Sequence, residues 1–477
     1  MTAPPPAGKP PTTPDLPAGA RLTLDGTAQR LDGGRTLLGG SPLRVLRLSA
    51  AGARVVDRWL AGDPVAAGPQ QRLARRLVET GIAHPAFPPG RYAPGDVTAV
   101  IPVHAADVGP LRESLAEMAE VVVVDDGSPV PVPGARVRHP TARGPAAARN
   151  AGWPHAGTDL VAFVDADCRP EPGWLAPLLP HFADPAVVAV APRITSTPGH
   201  STLARYESAR SSLDLGPLPG PVRPGSRTGY VPTAALVVRR AALEGAGGFD
   251  EALRYGEDVD LVWRLVAAGG VVRYEPAATV RHAPRGTVPA WLRQRYSYGT
   301  SAAPLAARHG EAVAPVRVSR WSAAAWGLAA AGSPVAGALV AAGTAALLPR
   351  KLRPVGVPAP VALRLAASGH LAAGRLLADA LLRTWWPAAA LAATRSRRAR
   401  LLLAAAALPH LVEWRRTRPP VGPLPWLALR VADDLAYGAG VWAGCWRERS
   451  TTALRPDLSD WPGQTGIQGT AVQDTTT

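Results

Sequence analysis

The chain has 477 residues and a formal charge of +16, and apart from Lys9 and Lys351 its basic residues are all arginine. That length admits two or three domains with real cores, and a basic surface suits anionic partners such as nucleic acid, anionic lipid or nucleotide diphosphates. Two cysteines, Cys168 and Cys445, exclude a disulfide framework or a zinc cluster.

Met1 to Pro17 is rich in Pro and Thr and lacks a charged start followed by an apolar core, so residues 1–19 read as a disordered tail with no export signal. Arg21 to Leu38 predicts two short strands around the turn Asp32-Gly33-Gly34. A helix begins near Ser49, with Val55, Val56, Trp59 and Leu60 at apolar positions; a second runs from about Gln71 to Thr80 and stops at Gly81. Residues 20–83 thus read as one small domain, and 84–96, dense in Pro and Gly, as a linker.

From Val97 the pattern changes to strands alternating with helices. Val97 to Val103, Val121 to Val124, Leu160 to Val164, Val187 to Ala191, Ala234 to Val238 and Val271 to Tyr274 read as strands; Val108 to Met118 and Pro145 to Gly152 read as helices. This spacing predicts a parallel α/β sheet, placed in a domain spanning 97–310.

Residues 311–455 read as a helical, apolar region. Trp321 to Leu348 has no charged residue and is long enough to span a bilayer, yet it is mostly Ala and Gly and contains Pro334. Thr384 to Thr394 and Leu401 to Leu411 are shorter apolar stretches, separated by Arg395 to Arg400 and followed by Arg415, Arg416 and Arg418. Trp385, Trp386, Trp414, Trp426, Trp442 and Trp446 stand near these boundaries, as interfacial aromatics do. Two readings stand, a membrane-associated hairpin or set of interfacial helices and an Ala-rich helical domain packed on the rest; the first is favoured. Residues 456–477 read as a second disordered tail.

The chemistry concentrates in the α/β domain. Leu160 to Val164 is an apolar strand that ends in Asp165-Ala166-Asp167, and alternation along an extended backbone lets both acids face one way at the strand's carboxyl end, where open α/β sheets collect ligands. Hard oxygen donors there suit Mg²⁺ or Mn²⁺. Four further elements accompany it in order: Ile101-Pro102-Val103-His104, then Asp125-Asp126-Gly127-Ser128, then a helix start from Gly144 through Arg149 to Gly152, and finally Gly256-Glu257-Asp258-Val259-Asp260. Each alone has an ordinary structural reading: a turn, a helix start, an acidic first helical turn. Their combination does not. Neither a P-loop nor a G-x-G-x-x-G element is present, which disfavours a kinase or a dehydrogenase. A basic recognition helix and zinc spacing are also lacking, so nucleic acid is not an expected partner.

This ordered set resembles family 2 glycosyltransferases with the GT-A (Rossmann-like) fold, over roughly Val97 to Gly299. The resemblance implies that Pro102, Val103 and His104, with the pair Asp125 and Asp126, hold the base and ribose of a UDP-sugar. It favours Asp126 for the base, while the sequence itself leaves the two acids unseparated. It further implies Arg149 near the nucleotide or its diphosphate, Asp165 and Ala166 at the nucleotide sugar, and Asp167 on a Mn²⁺ or Mg²⁺ ion with His282 as a further ligand. Asp258, beside Glu257, would be the base of an inverting transfer, and a neighbouring acid raises a base's pKa where both charges face one cavity. Gln294-Arg295-Tyr296 resembles the Q-x-x-R-W element of processive members but departs from it; Arg293 or Arg295 is the candidate diphosphate contact there.

Leu37 to Ser49 and Leu77 to Gly81 resemble the winged-helix-like peptide-chaperone module of PQQ biosynthesis, which takes up a precursor peptide by strand addition. The combination of the three regions resembles the mycofactocin-system glycosyltransferases. That resemblance implies glucose transfer from UDP-glucose to a small peptide-derived cofactor precursor, extending to a β-1,4-glucan chain, at the cytoplasmic face of the cell membrane. A polyprenyl-phosphate or cell-wall acceptor is the alternative, and a peptide-binding scaffold with a degenerate transferase fold is the non-enzymatic one.

Overall fold

A computed structural model describes residues 13–458. Its first elements are β1 (Arg21–Leu24), β2 (Gln29–Leu31), β3 (Thr36–Gly39), β4 (Arg44–Arg47), α1 (Ala50–Leu60), α2 (Pro69–Thr80) and β5 (Ala83–Ala86). There follow β6 (Val97–Val103), α3 (Gly109–Ser114), β7 (Glu120–Asp126), β8 (Val137–His139), α4 (Pro145–Gly152), β9 (Leu160–Val164), β10 (Cys168–Pro170) and β11 (Val187–Ser196). Next come α5 (Thr202–Arg210), β12 (Gly220–Pro221), β13 (Ala235–Arg239), α6 (Arg240–Ala246), α7 (Glu257–Ala267) and β14 (Val271–His282). The rest is helical: α8 (Val288–Thr300), α9 (Ala302–His309), α10 (Arg320–Ala330), α11 (Pro334–Leu352), α12 (Ala359–Arg383), α13 (Trp386–Arg395), α14 (Arg397–Ala406), α15 (Leu408–Thr417) and α16 (Pro423–Arg447).

The described residues form two compact units, one comprising 13–25 with Arg58–Thr197 and Ser211–Ala283, the other Gly26–Asp57, Pro198–Arg210 and 284–458. The stretch 20–83, read from sequence as one domain, therefore contributes to both.

The first unit is built on a sheet in the order β10-β14-β11-β13-β9-β6-β7-β8, with β12 paired to β14. Strands β9, β6, β7 and β8 are mutually parallel, as the alternating pattern predicts. The sheet as a whole is mixed, because β13 runs antiparallel to both β9 and β11. Its middle strands are apolar runs buried on both faces, which is what a sheet covered by helices on each side requires. Val97, Ile101, Leu111, Val123, Val164, Trp174 and Val190 lie in its principal core.

Two expectations about the N-terminal region change. Residues 13–19 are ordered: Leu16 is completely buried, its N–H donates to Gln71, and Gly19 donates to Val65. Leu16 supplies the apolar anchor that the Pro-rich composition obscured. The expected linker begins as strand β5, which pairs antiparallel with β1 and carries Pro85 opposite Leu22, so this part of the Pro-rich stretch is a short strand rather than a tether. Helix α2 ends at Gly81 with φ 71°, as read. It is pinned by Arg75, whose guanidinium makes a bidentate pair with Asp184 at 2.7 and 2.8 Å, both side chains being buried. Asp25 on the same unit accepts from Arg227 and pairs with His84.

The second unit holds the small antiparallel sheet β2-β3-β4, whose first hairpin turns through Asp32-Gly33-Gly34 as predicted. Leu38 and Val45 pack against Leu352, Val357 and Ala362, and Thr36 Oγ1 donates to the Val355 carbonyl at 2.7 Å. The charge-free stretch Trp321 to Leu348 is a helical hairpin, α10 turning at Ala331–Ser333 into α11. Helices α8 and α16 cross at Gly299, Gly440 and Gly444, where the helix backbones touch. Residues 456–458 are also ordered, with Asp457 exchanging backbone hydrogen bonds with Val316 and Val318. The remainder of both expected tails, 1–12 and 459–477, lies outside the described residues.

Candidate active site

Every acid singled out in the sequence sits in the first unit, at the carboxyl ends of β7 and β9 or on α7. Val103 is buried, Pro102 half-buried and His104 exposed at the end of β6. The His104 ring is fixed by a 2.9 Å contact from Nδ1 to the Asp126 carbonyl, and the neighbouring Ala105 N–H donates to Ser128 Oγ.

The geometry separates the two acids that the sequence left unresolved. Asp125 is completely buried and accepts from the N–H groups of Ser128 and Val132, with Arg138 close by. Burial pushes its carboxyl up, but these donors outweigh it and hold it below the usual range. It serves the loop from inside. Asp126 is nearer the surface and accepts from His139 Nδ1 at 2.7 Å and from the N–H groups of Arg143 and Gly144. Burial opposes ionisation there too, and the backbone and His139 bonds again win. Beside them a cleft of about 520 Å³ is lined by Ala105, Asp107, Val108, Arg112, Val130 and Pro133, among others.

Asp165, Ala166 and Asp167 form a tight turn, closed by the Cys168 N–H donating to the Asp165 carbonyl, rather than an extended run. The two carboxylates therefore part ways. Asp165 Oδ1 accepts from Arg149 Nη2 at 2.7 Å. Asp167 Oδ2 lies 3.3 Å from His282 Nε2. Register explains the second contact: β10 pairs antiparallel with β14 so that Cys168 faces His282, which brings the preceding Asp167 to the imidazole. One carboxylate and one imidazole are a sound donor pair for Mn²⁺ or Mg²⁺, which complete their shells with water and phosphate oxygens. Among the described residues no larger cluster of His, Cys, Asp and Glu is placed to hold a metal.

Helix α7 opens at Gly256, which holds φ 81°, and puts Glu257, Asp258 and Asp260 in its first turn. Glu257 is buried and accepts from Arg149 Nη1 at 2.8 Å. Asp258 Oδ1 accepts from the Val259 N–H at 2.8 Å. Burial, and then the Glu257 charge, push its carboxyl up to about 7, only partly offset by that hydrogen bond and by Arg149. A carboxylate so placed can take a proton near neutral pH.

Asn150 had no individual role in the sequence reading, and Gly248 entered it only within the approach to the acceptor site that resemblance to the family implies for Gly247 to Glu251. Asn150 clamps the loop leading to α7: its Nδ2 donates to the Phe249 carbonyl and its Oδ1 accepts from the Phe249 N–H. Gly248, at φ 71°, must lack a side chain, since a Cβ would come 2.6 Å from Asn150 Oδ1. The Phe249 ring lies 5.4 Å from the Arg149 guanidinium. Asn150 stands next to Arg149 in the helix-start motif, but its partner is ninety-nine residues away and left no local signal. Arg295, one of two candidate diphosphate contacts, belongs to the second unit and is buried against Glu207 and Asp433; its charge is spent inside the helices.

Comparison with known proteins identifies the family. The description "Glycosyl transferase family 2" matches residues 98–245. The chain is 43% identical over 469 residues to the pre-mycofactocin glycosyltransferase of Mycobacterium tuberculosis (strain ATCC 25618 / H37Rv), covering 93% of this chain and 98% of that one. The succinoglycan biosynthesis protein ExoU of Rhizobium meliloti (strain 1021) is 35% identical over 208 residues, 37% of this chain and 58% of its own length. A solved mannosyltransferase from Pyrobaculum calidifontis, in complex with GDP-Man and Mn²⁺, is similar at a TM-score of 0.42 and 21% identity, covering 76% of this chain and 90% of that one.

The family match and the relatives define a glycosyltransferase, with an α/β, GT-A sheet. Within that class the match to the pre-mycofactocin glycosyltransferase runs along nearly the whole length of both chains, the N-terminal strands and the helical C-terminal region included. The chain belongs to the pre-mycofactocin glycosyltransferases of family 2.

Proposed function

We propose that the protein transfers glucose from UDP-glucose to a mycofactocin precursor, with inversion at the anomeric carbon. The observation that carries the reading is the chain Asp165–Arg149–Glu257: one guanidinium reaches both carboxylates, so the strand-end turn and the helix bearing Asp258 border a single site. In that site Asp258 takes the proton of the acceptor hydroxyl as its oxygen attacks C1 of the sugar. The bond from C1 to the phosphate oxygen breaks, and UDP departs with the electron pair. Asp126 and His104 border the place for the base and ribose. A Mn²⁺ or Mg²⁺ ion on Asp167 and His282 would neutralise charge on the departing diphosphate.

The relatives' name supports the acceptor, and the N-terminal module offers a means of holding a precursor peptide: sheet β2-β3-β4 has two edge strands for strand addition. A polyprenyl-phosphate acceptor is the second reading, favoured by the helical unit. Trp321, Leu339, Leu347, Leu371, Leu391, Leu401 and Trp446 are all exposed there. Residues 334–355 are long and apolar enough to cross a membrane, an 18-residue stretch within them having mean hydropathy 1.3 and only 11% of its residues buried. Residues 312–432 also carry sixteen Lys and Arg against two acids, Asp379 and Glu413. These features support association with the cytoplasmic face of an anionic membrane, which flotation with phosphatidylglycerol vesicles, against phosphatidylcholine alone, would test.

The deciding experiment supplies UDP-glucose and Mn²⁺ or Mg²⁺ with the precursor in one reaction and a polyprenyl phosphate in another, and reads product mass. Hexose increments on the precursor establish the reading, and their number shows whether addition repeats into a glucan. Transfer only to the lipid replaces the acceptor and leaves the site assignment intact.

A further inference from the structure

We propose that Arg149 is a positioning residue, a strut that ties the Asp165 turn to the first turn of α7 and so fixes where Asp258 is presented. The inference rests on the reading of Asp258 as the base. Resemblance to the family places this arginine at the nucleotide; the geometry gives it other work. Its side chain is 3% exposed, on the covered face of α4, and its two terminal nitrogens go to Asp165 Oδ1 and Glu257 Oε1. Phe249 lies against the guanidinium, and the neighbouring Asn150 holds the Phe249 backbone through both ends of its carboxamide. Thus α4 grips the loop Gly247–Glu251 and the head of α7 through consecutive residues. Gly256 enters α7 at positive φ, and Gly247 and Gly248 before it are also left-handed, so the approach to the base turns at three glycines. Asn150 holds that approach at Phe249 and the Arg149–Glu257 pair holds it at its far end. A planar fork suits this task, since it spans two carboxylates in fixed directions as a lysine ammonium does not.

The test uses the full chain with Arg149→Lys, Arg149→Gln and the double variant Arg149→Gln/Glu257→Gln, the last so that no buried carboxylate is left unpaired. Hydrogen exchange at the Val259 and Asp260 amides is read in the free protein. UDP binding is read by calorimetry, and kcat and KM with UDP-glucose. The strut predicts exchange faster by about tenfold or more in both glutamine variants, corresponding to at least about 1.4 kcal/mol of local stability. It also predicts kcat lower by about a hundredfold with the UDP dissociation constant within about threefold, and partial recovery in Arg149→Lys. Unchanged exchange overturns the proposal. So does UDP binding weakened about tenfold with kcat preserved at saturating donor, which marks a direct nucleotide contact. Should the wild-type protein fail to use UDP-glucose, the substrate reading falls, while the exchange measurement still decides the strut.

Discussion

His282 Nε2 and Asp167 Oδ2 lie 3.3 Å apart although 115 positions separate them, because β10 and β14 pair in the one register that brings them together. Asp167→Ala is expected to abolish the Mn²⁺-dependent part of UDP binding, and His282→Ala to reduce it by about tenfold, since water replaces a neutral ligand more readily than a carboxylate. Calorimetry with UDP in the presence and absence of Mn²⁺ checks both. Equal UDP affinity with and without Mn²⁺ in the wild-type protein would remove the metal assignment.

Asp258→Asn is expected to lower kcat by about 10²–10⁴ with UDP binding nearly unchanged, the range typical of losing a general base. In the wild-type protein the carboxyl stands near 7 and must be ionised to accept a proton, so kcat/KM rises with pH from 6 to 8. Glu257→Gln deletes the neighbouring negative charge that helps hold the carboxyl up, and the rising limb moves to lower pH. A limb that stays in place, or moves upward, contradicts the electrostatic account.

Arg75→Ala strands Asp184 as a buried carboxylate, and a loss of about 3–5 kcal/mol is expected in urea unfolding. Arg75→Met/Asp184→Leu removes both charges and recovers most of it. A single variant as stable as the wild-type protein would show that water reaches Asp184.

Gly440→Val sets a branched side chain against the Tyr296 carbonyl, inside contact distance, where α8 and α16 cross. The helices must part, and a cost of at least about 2 kcal/mol is expected, read as a lower melting temperature of the helical unit. Gly343→Ala, at a glycine with open space around it, is the control and costs little.

The elements that read most clearly were those whose signal is local. Val97–Val103, Pro145–Gly152 and Leu160–Val164 form as drawn, because apolar runs and a Gly-Pro helix start constrain the chain within a few residues. Pairing was less legible: β13 looks like any other buried strand, and only its neighbours make it antiparallel. The acids of the site were visible one by one, while the arginine that joins two of them was not. Arg149 meets Glu257 across 108 positions, and no spacing rule reaches that far. Extended alternation also failed at Asp165-Ala166-Asp167, where a turn sends one acid toward α4 and the other toward β14. Likewise Leu16, one apolar residue in a Pro-rich stretch, gave no periodicity from which its burial could be read.

The salt bridge from α2 to Asp184, together with the β1–β5 pair and the Asp25–Arg227 contact, bears on where this protein can be cut. Composition invites a start at Val97, where the catalytic sheet begins. A fragment begun there would keep every residue of the proposed site and yet lose Arg75, the partner of Asp184, Asp25, the partner of Arg227, and the strands β1 and β5. The piece that looks like an optional front attachment is, for the catalytic sheet, one of its walls.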